Sequence, residues 1–193
     1  MASAIKTPPW YVVTGAPYSG ISTLVGALRR KPQISRTYPE VATAIISENL
    51  ARGISVEETR RDPLVFEYRI LGRKLAIEAQ ELVADTREAP KGRVCVFERG
   101  VPDSMAYFKL GGLDTSGMVR KNLAINRYRA AFFLEPLEYK RGGIRLETPE
   151  ERDVIGELLL VTYKDLGYEV ITIPVMPVEE RADTVMQHIA DTL

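Results

Sequence analysis

The sequence predicts an α/β fold, a parallel β-sheet covered by helices on both faces, and three observations predict it. Short apolar runs alternate with amphipathic helical stretches from one end of the chain to the other. The runs are apolar on successive residues, as strands buried on both faces are. Between the first run and the first helix stands Gly15-Ala16-Pro17-Tyr18-Ser19-Gly20-Ile21-Ser22, with the glycine spacing of a phosphate-binding loop.

The elements follow in order. Trp10–Thr14, Ile34–Tyr38, Arg93–Phe97, Ala130–Leu134 and Glu169–Ile173 read as five strands. Ser22–Arg30 presents Leu24, Val25 and Leu28 on one helical face and ends on basic residues, which suit a helix C-terminus. Glu40–Ala51 is apolar at Val41, Ala44, Ile45 and Leu50, and Gly53 stops it. Leu64–Arg87 carries Leu64, Tyr68, Leu71, Leu75, Ala79 and Leu82, a stripe several turns long that Pro63 can start. Thr148-Pro149-Glu150-Glu151 is a capping box with proline at the first helical position. It opens a helix with Val154, Ile155, Leu158, Leu159 and Thr162 inward, closed by Gly167. A last helix covers about Val178 to Thr192. The stretch Leu137–Glu147, rich in charge and glycine, reads as a flap, and residues 1–193 read as one domain with a lid over about 137–150.

Composition limits the function classes. A chain of 193 residues with 45% hydrophobic content suits one α/β domain. Its 26 basic and 26 acidic residues cancel, which argues against a nucleic-acid tail or a membrane-binding polybasic patch. Cys95 is the single cysteine and lies in an apolar run, so no internal disulfide forms and a cytoplasmic location is expected. Met1 to Pro9 lacks the apolar stretch of a signal peptide, and His188, the single histidine, is expected to face solvent.

In the loop, Gly15 permits a tight turn and Gly20 a close backbone approach, so amides from Gly15, Ala16, Pro17, Tyr18, Ser19, Gly20, Ile21, Ser22 and Thr23 surround one anion site at a helix N-terminus. Proline supplies no N–H, and Tyr18 sits where a small residue is usual. Ser22, backed by Thr23, offers a hydroxyl for Mg2+. The lysine that normally reaches the outer phosphates is Ile21 here, so that charge is missing.

Ligands of parallel sheets bind beyond the strands' carboxyl ends. There Cys95-Val96-Phe97 leads to Glu98-Arg99-Gly100 and Asp103, and Tyr38-Pro39-Glu40 sends a second carboxylate to the same rim. Arg99 can grip an anion with its planar fork, and Glu98 can polarise a hydroxyl or hold a metal-bound water. The alternatives are a local ion pair, with Asp103 starting a helix, and a helix N-terminal acid at Glu40. In the flap, Arg145 lies between apolar Ile144 and Leu146 and suits a closing arginine, whereas Lys140 and Arg141 suit a solvated turn. On the long helix, Arg69 and Lys74 read as surface and Arg73 as the one cation to test against substrate. Arg120, Lys121, Arg127 and Arg129 read as a solvated face.

Taken in order, Gly15 to Ser22, Tyr38-Pro39-Glu40, Phe97-Glu98-Arg99-Gly100 with Asp103, Ala106-Tyr107, Arg127-Tyr128-Arg129, Phe133 to Leu137, Arg145 with Glu147, Leu166 to Val170, Ile173-Pro174 and Pro177 to Arg181 resemble the NadR-type AAA-domain group of P-loop NTPases, near thymidylate-kinase-like and deoxynucleoside-kinase-like enzymes. The resemblance implies a three-layer α/β/α sandwich with a five-stranded sheet in the order 2-3-1-4-5 and an arginine-bearing lid. It implies ATP or GTP with Mg at the loop, Ser22 and Glu98 as metal partners, Arg99 toward an acceptor or its phosphate, and Glu40 or Glu98 as base or metal partner. Arg145 becomes the lid arginine, and Pro174 to Pro177 borders the purine. The partners expected are a nucleotide and a small-molecule acceptor, with neither nucleic acid nor membrane. A homodimer through Leu64–Arg87 remains open. Ile21 leaves two functions standing, a small-molecule phosphotransferase or NTPase and an inactive binding or regulatory module. A purely structural protein would leave the strand-end polar residues without a purpose.

Overall fold

A computed structural model describes residues 8–87, 93–120, 127–138 and 148–193, without the side chains of 85–87 and 119–120. Its strands are β1 (Trp10–Gly15), β2 (Arg36–Tyr38), β3 (Cys95–Glu98), β4 (Ala130–Leu134) and β5 (Val170–Ile173). Its helices are α1 (Ile21–Leu28), α2 (Val41–Leu50), α3 (Val56–Thr59), α4 (Pro63–Arg87), α5 (Val101–Leu110), α6 (Ser116–Arg120), α7 (Pro149–Asp165) and α8 (Val178–Thr192). The sheet is parallel throughout, in the order β2-β3-β1-β4-β5 that the resemblance implied.

Strand alternation divides the core into two layers. Tyr11, Val13, Val96, Phe132 and Leu134 face α1 and α8, where Leu24, Leu28, Val185 and Ile189 are fully buried. Trp10, Val12, Cys95, Phe97 and Ala131 face the other way, against Tyr128 and Tyr163. All six residues of β1 are buried, as a central strand requires. Register aligns Val13 with Glu98 and Gly15 with Leu134, so the loop after β1 and the turn after β3 leave the sheet side by side.

Two helical faces differ from the sequence expectation. On α4, Tyr68 and Leu82 are about half exposed, and Ala79 is exposed as well. The buried face is Leu71, a member of the expected stripe, together with Phe66, Ile70, Lys74, Glu78 and Glu81. Apolar periodicity misses it because half of those side chains are charged and buried with partners. Glu78 accepts from Tyr128 Oη and Arg127 Nε, and Glu81 from Tyr38 Oη and Arg36 Nη1. Arg127 is therefore a partner of a buried carboxylate and not part of a solvated face. On α7, Val154 is 54% exposed while Ile155, Leu159 and Thr162 turn inward. His188 is also partly covered rather than solvent-facing: its ring meets Phe132 edge-on.

Among the described residues no helix is long and apolar enough to cross a membrane.

Candidate functional site

The loop between β1 and α1 is built from unusual backbone. Gly15 has φ 150° and Gly20 φ 86°, and a Cβ on Gly15 would stand 2.7 Å from the Leu134 carbonyl oxygen. Tyr18, half-buried, also adopts positive φ, 64°, which costs a non-glycine residue about 1 kcal/mol or more. Gly156 of α7 lets that helix approach the loop, since a Cβ there would stand 3.0 Å from the Ala16 methyl carbon. Ser19 is buried, and its Oγ has no hydrogen-bond partner. Helix α1 then starts with its first-turn amides directed at the loop's mouth, free of intrahelical acceptors.

Ile21 does not face that mouth. Its side chain is 4% exposed and packs in the core with Leu24, Val25 and Ala182. Ser22 does face the β3 end: its Oγ donates to Glu98 Oε1 at 2.5 Å. Thr23 is exposed beside it on α1. Glu98 is 6% exposed, and burial raises its pKa above the usual carboxylate value, while the Ser22 hydrogen bond acts the other way.

The turn after β3 holds Arg99 at φ 60°, with its N–H donated to the Val13 carbonyl at 3.0 Å. Its guanidinium is 5% exposed and binds Glu40 Oε1 through Nε at 2.8 Å and Asp103 Oδ1 through Nη1 at 3.1 Å. Nη2 is buried without a partner, and Arg99 lines a cavity that also meets Pro17, Glu40, Glu67 and Lys74. Burial opposes the charge, yet Tyr107, Glu40 and Asp103 together raise the pKa further above its already high value. Lys74 lies under this turn, donating to the Gly100 carbonyl at 2.7 Å and Ser104 Oγ at 3.2 Å, with its pKa lowered by burial. Glu67 is pushed up to about 7, chiefly by burial. A second, more apolar cavity of about 650 Å³ adjoins the first through Arg60, Phe66, Glu67 and Tyr107 and reaches Leu64, Leu110 and Ile155.

The structure thus brings the loop, Ser22, Glu98, Arg99 and Glu40 to one rim. Arg145, Lys140, Arg141 and Glu147 fall outside the described residues. Arg73 does not join the rim: it forms an exposed pair with Glu48 at 2.7 Å. Sequence reasoning chose the wrong cation on α4, because Lys74, one residue on, is the buried one. Glu67 was missed too, and its only signal was a carboxylate one residue from buried Phe66. Tyr128 entered only through the resemblance, yet its hydroxyl accepts the Val101 N–H at 3.0 Å and so backs the Arg99–Gly100 turn.

The sheet order and the glycine loop leading into α1 set the architecture, and two carboxylates and an arginine stand at its strand ends. The chain belongs to the AAA domain family, which it matches over residues 10–181. Its fold is similar to that of deoxyadenosine kinase from M. mycoides, solved with the products dCMP and a flexible dCDP, at TM-score 0.61 and 13% identity over 94% of this chain and 99% of that one. It is also similar to the NadR protein in complex with NAD and AMP-PNP, at TM-score 0.69 and 17% identity over 94% of this chain and 49% of that one. At such identities the likeness establishes a shared fold. No curated protein sequence matches the chain.

Proposed function

We propose that this protein binds ATP or GTP with Mg2+ and transfers the terminal phosphoryl group to a hydroxyl of a small, largely apolar acceptor, in the manner of a nucleoside-type kinase. The observation that carries the reading is the placement of two acid-bearing pairs beside the loop, at the ends of β2 and β3. Ser22–Glu98 lies at the start of α1, and Glu40–Arg99 lies at the mouth of the cavity. The nucleotides carried by deoxyadenosine kinase and NadR support nucleotide as the occupant.

Each role follows from place and chemistry. The loop amides from Gly15 to Ser22 and the α1 N-terminus hold phosphates. The unpartnered Ser19 hydroxyl fits an anion there. Ser22 and Glu98 are hard oxygen donors in contact, a set that fits Mg2+. When bound, the metal supplies neutralisation of charge on the transferred group. Glu40 lines the acceptor cavity and takes the proton of the attacking hydroxyl onto its carboxylate. Arg99 fixes Glu40, lines the acceptor cavity and keeps a spare donor in Nη2. The resemblance gives Arg145 the role of lid arginine and gives the Pro174–Pro177 segment that of bordering the base. The exposed apolar side of α4, with Val65, Tyr68 and Leu82, supports a homodimer through that helix.

A second reading, a binding or regulatory module without turnover, is favoured by the burial of Ile21 in the core. One experiment separates the two. Thermal unfolding is followed with and without MgATP and MgGTP, and phosphate transfer or release is measured in parallel. Catalysis predicts nucleotide stabilisation that Ser22→Ala removes, with turnover that Glu40→Gln abolishes. Stabilisation without turnover selects the regulatory reading. An unmoved transition with either nucleotide sinks both.

A further inference from the structure

The loop lacks its own cation, and the fold puts another one directly behind it. Arg181 stands in the first turn of α8 and is 3% exposed. Its guanidinium ties three strand-end segments together. Nη1 donates to the Ser19 carbonyl at 2.7 Å, Nε to the Pro174 carbonyl at 3.0 Å and Nη2 to the Glu135 carbonyl at 3.5 Å. A Cβ on Gly20 would stand 3.6 Å from Nη1, so the charge lies against the loop itself.

The neighbours of this charge are dipoles. Among the described residues no carboxylate forms a salt bridge with Arg181, and burial lowers its pKa, with the Glu135 charge acting the other way. Buried charges are ordinarily paired, because carbonyl groups solvate a cation without neutralising it. An anion on the inner side of the loop would complete the balance.

Peptide geometry shows how the charge reaches that side. In a trans peptide the C=O and the next N–H point in opposite directions. Holding the Ser19 carbonyl outward turns the Gly20 N–H inward, and a cation on the oxygen makes that N–H a stronger donor. The buried Ser19 hydroxyl, without a partner, is a second donor on the same loop.

We propose that Arg181 is a positioning residue that supplies, through the Ser19–Gly20 peptide, the positive field a P-loop lysine supplies directly, and that the anion it serves is the polyphosphate chain of the nucleotide. This rests on the nucleotide-binding reading above. The test is calorimetric titration of the full chain with MgATP and with inorganic tripolyphosphate plus Mg2+. It compares wild type, Arg181→Lys, Arg181→Gln, Arg181→Met and the double variant Arg181→Met/Ile21→Lys.

Wild type and Arg181→Lys should bind both ligands, and the Gln and Met variants should bind each about tenfold more weakly or worse. Ile21→Lys should restore affinity in the Met background. Glutamine keeps a donor for the Ser19 carbonyl but no charge, so a merely structural tie would leave Arg181→Gln binding like wild type. That result overturns the inference and leaves the nucleotide reading intact. A wild type that binds neither ligand overturns both. If Arg181→Met fails to fold, the Lys–Gln contrast decides alone.

Discussion

Asp103 is fully buried, and its two oxygens accept four hydrogen bonds. Thr14 Oγ1 and Arg99 Nη1 reach Oδ1 at 2.6 and 3.1 Å, and Tyr163 Oη and the Gly100 N–H reach Oδ2 at 2.5 and 2.8 Å. It therefore holds the central strand, the Arg99 turn and α7 together, and balances a buried guanidinium. Asp103→Asn removes that charge and turns an NH2 against donors. It should cost about 3 kcal/mol in urea unfolding, the usual penalty for breaking a buried pair on one side. A loss below about 1 kcal/mol, the size of an exposed pair, would mean Arg99 finds its compensation elsewhere. Glu67 gives a pH signature of its own. It faces Lys74, Arg99, Asp103 and Arg60, and its folded pKa of about 7 lies above the ordinary 4.5. The folded state thus holds this proton more tightly than the unfolded chain does. Its contribution is fully present below pH 4.5 and is lost as pH rises toward 7, worth up to about 3 kcal/mol. Glu67→Gln should flatten the stability profile across that window, and an unchanged slope there would assign the titration to other groups.

At the scale of elements, α7 tests how far local rules carry. Thr148 Oγ1 accepts the Glu151 N–H at 3.2 Å, and Glu151 Oε2 accepts the Thr148 N–H at 2.8 Å, the capping box legible in the sequence. Thr148→Ala should cost about 1 kcal/mol by thermal unfolding, since the exposed cap holds only local bonds. The same local legibility extends to β1, β3 and β4, buried throughout and so announced by apolar runs, while the edge strands β2 and β5 are buried little or only at Ile173. Strand β2 is shorter than its run, since Ile34 packs into the core before ladder pairing starts at Arg36 with Cys95. The buried face of α4 was illegible for the opposite reason. Lys74, Glu78 and Glu81 are buried by hydrogen-bond partners that lie 26 to 50 residues away along the chain, and no short window of sequence displays such pairing. The candidate site divides in the same way. Gly15 to Ser22, Glu98, Arg99 and Glu40 carry a spacing or a strand-end position. Lys74, Glu67 and Arg181 act only through tertiary neighbours.

At the scale of the whole molecule, sheet order fixes what a restored lysine can do. With β1 between β3 and β4, the loop opens at the centre of the rim, and α1 runs from it into the layer shared with α8. Ile21 belongs to that layer, so Ile21→Lys exchanges a buried aliphatic side chain for a charge at the head of α1. The substitution should lower the unliganded transition, by about 2 kcal/mol if the lysine stem leaves the core. Bound nucleotide acts in the other direction, by RT ln(1 + [L]/Kd), about 2.7 kcal/mol at a hundredfold Kd. The informative quantity is therefore the nucleotide-dependent shift within each protein, not the difference between their unliganded midpoints. A lysine reaching the phosphates should enlarge that shift at fixed MgATP while the unliganded midpoint falls. If both quantities fall together, the lysine is not reaching the ligand, and the burial of Ile21 in the core layer of α1 and α8 is what the loop needs to keep its shape.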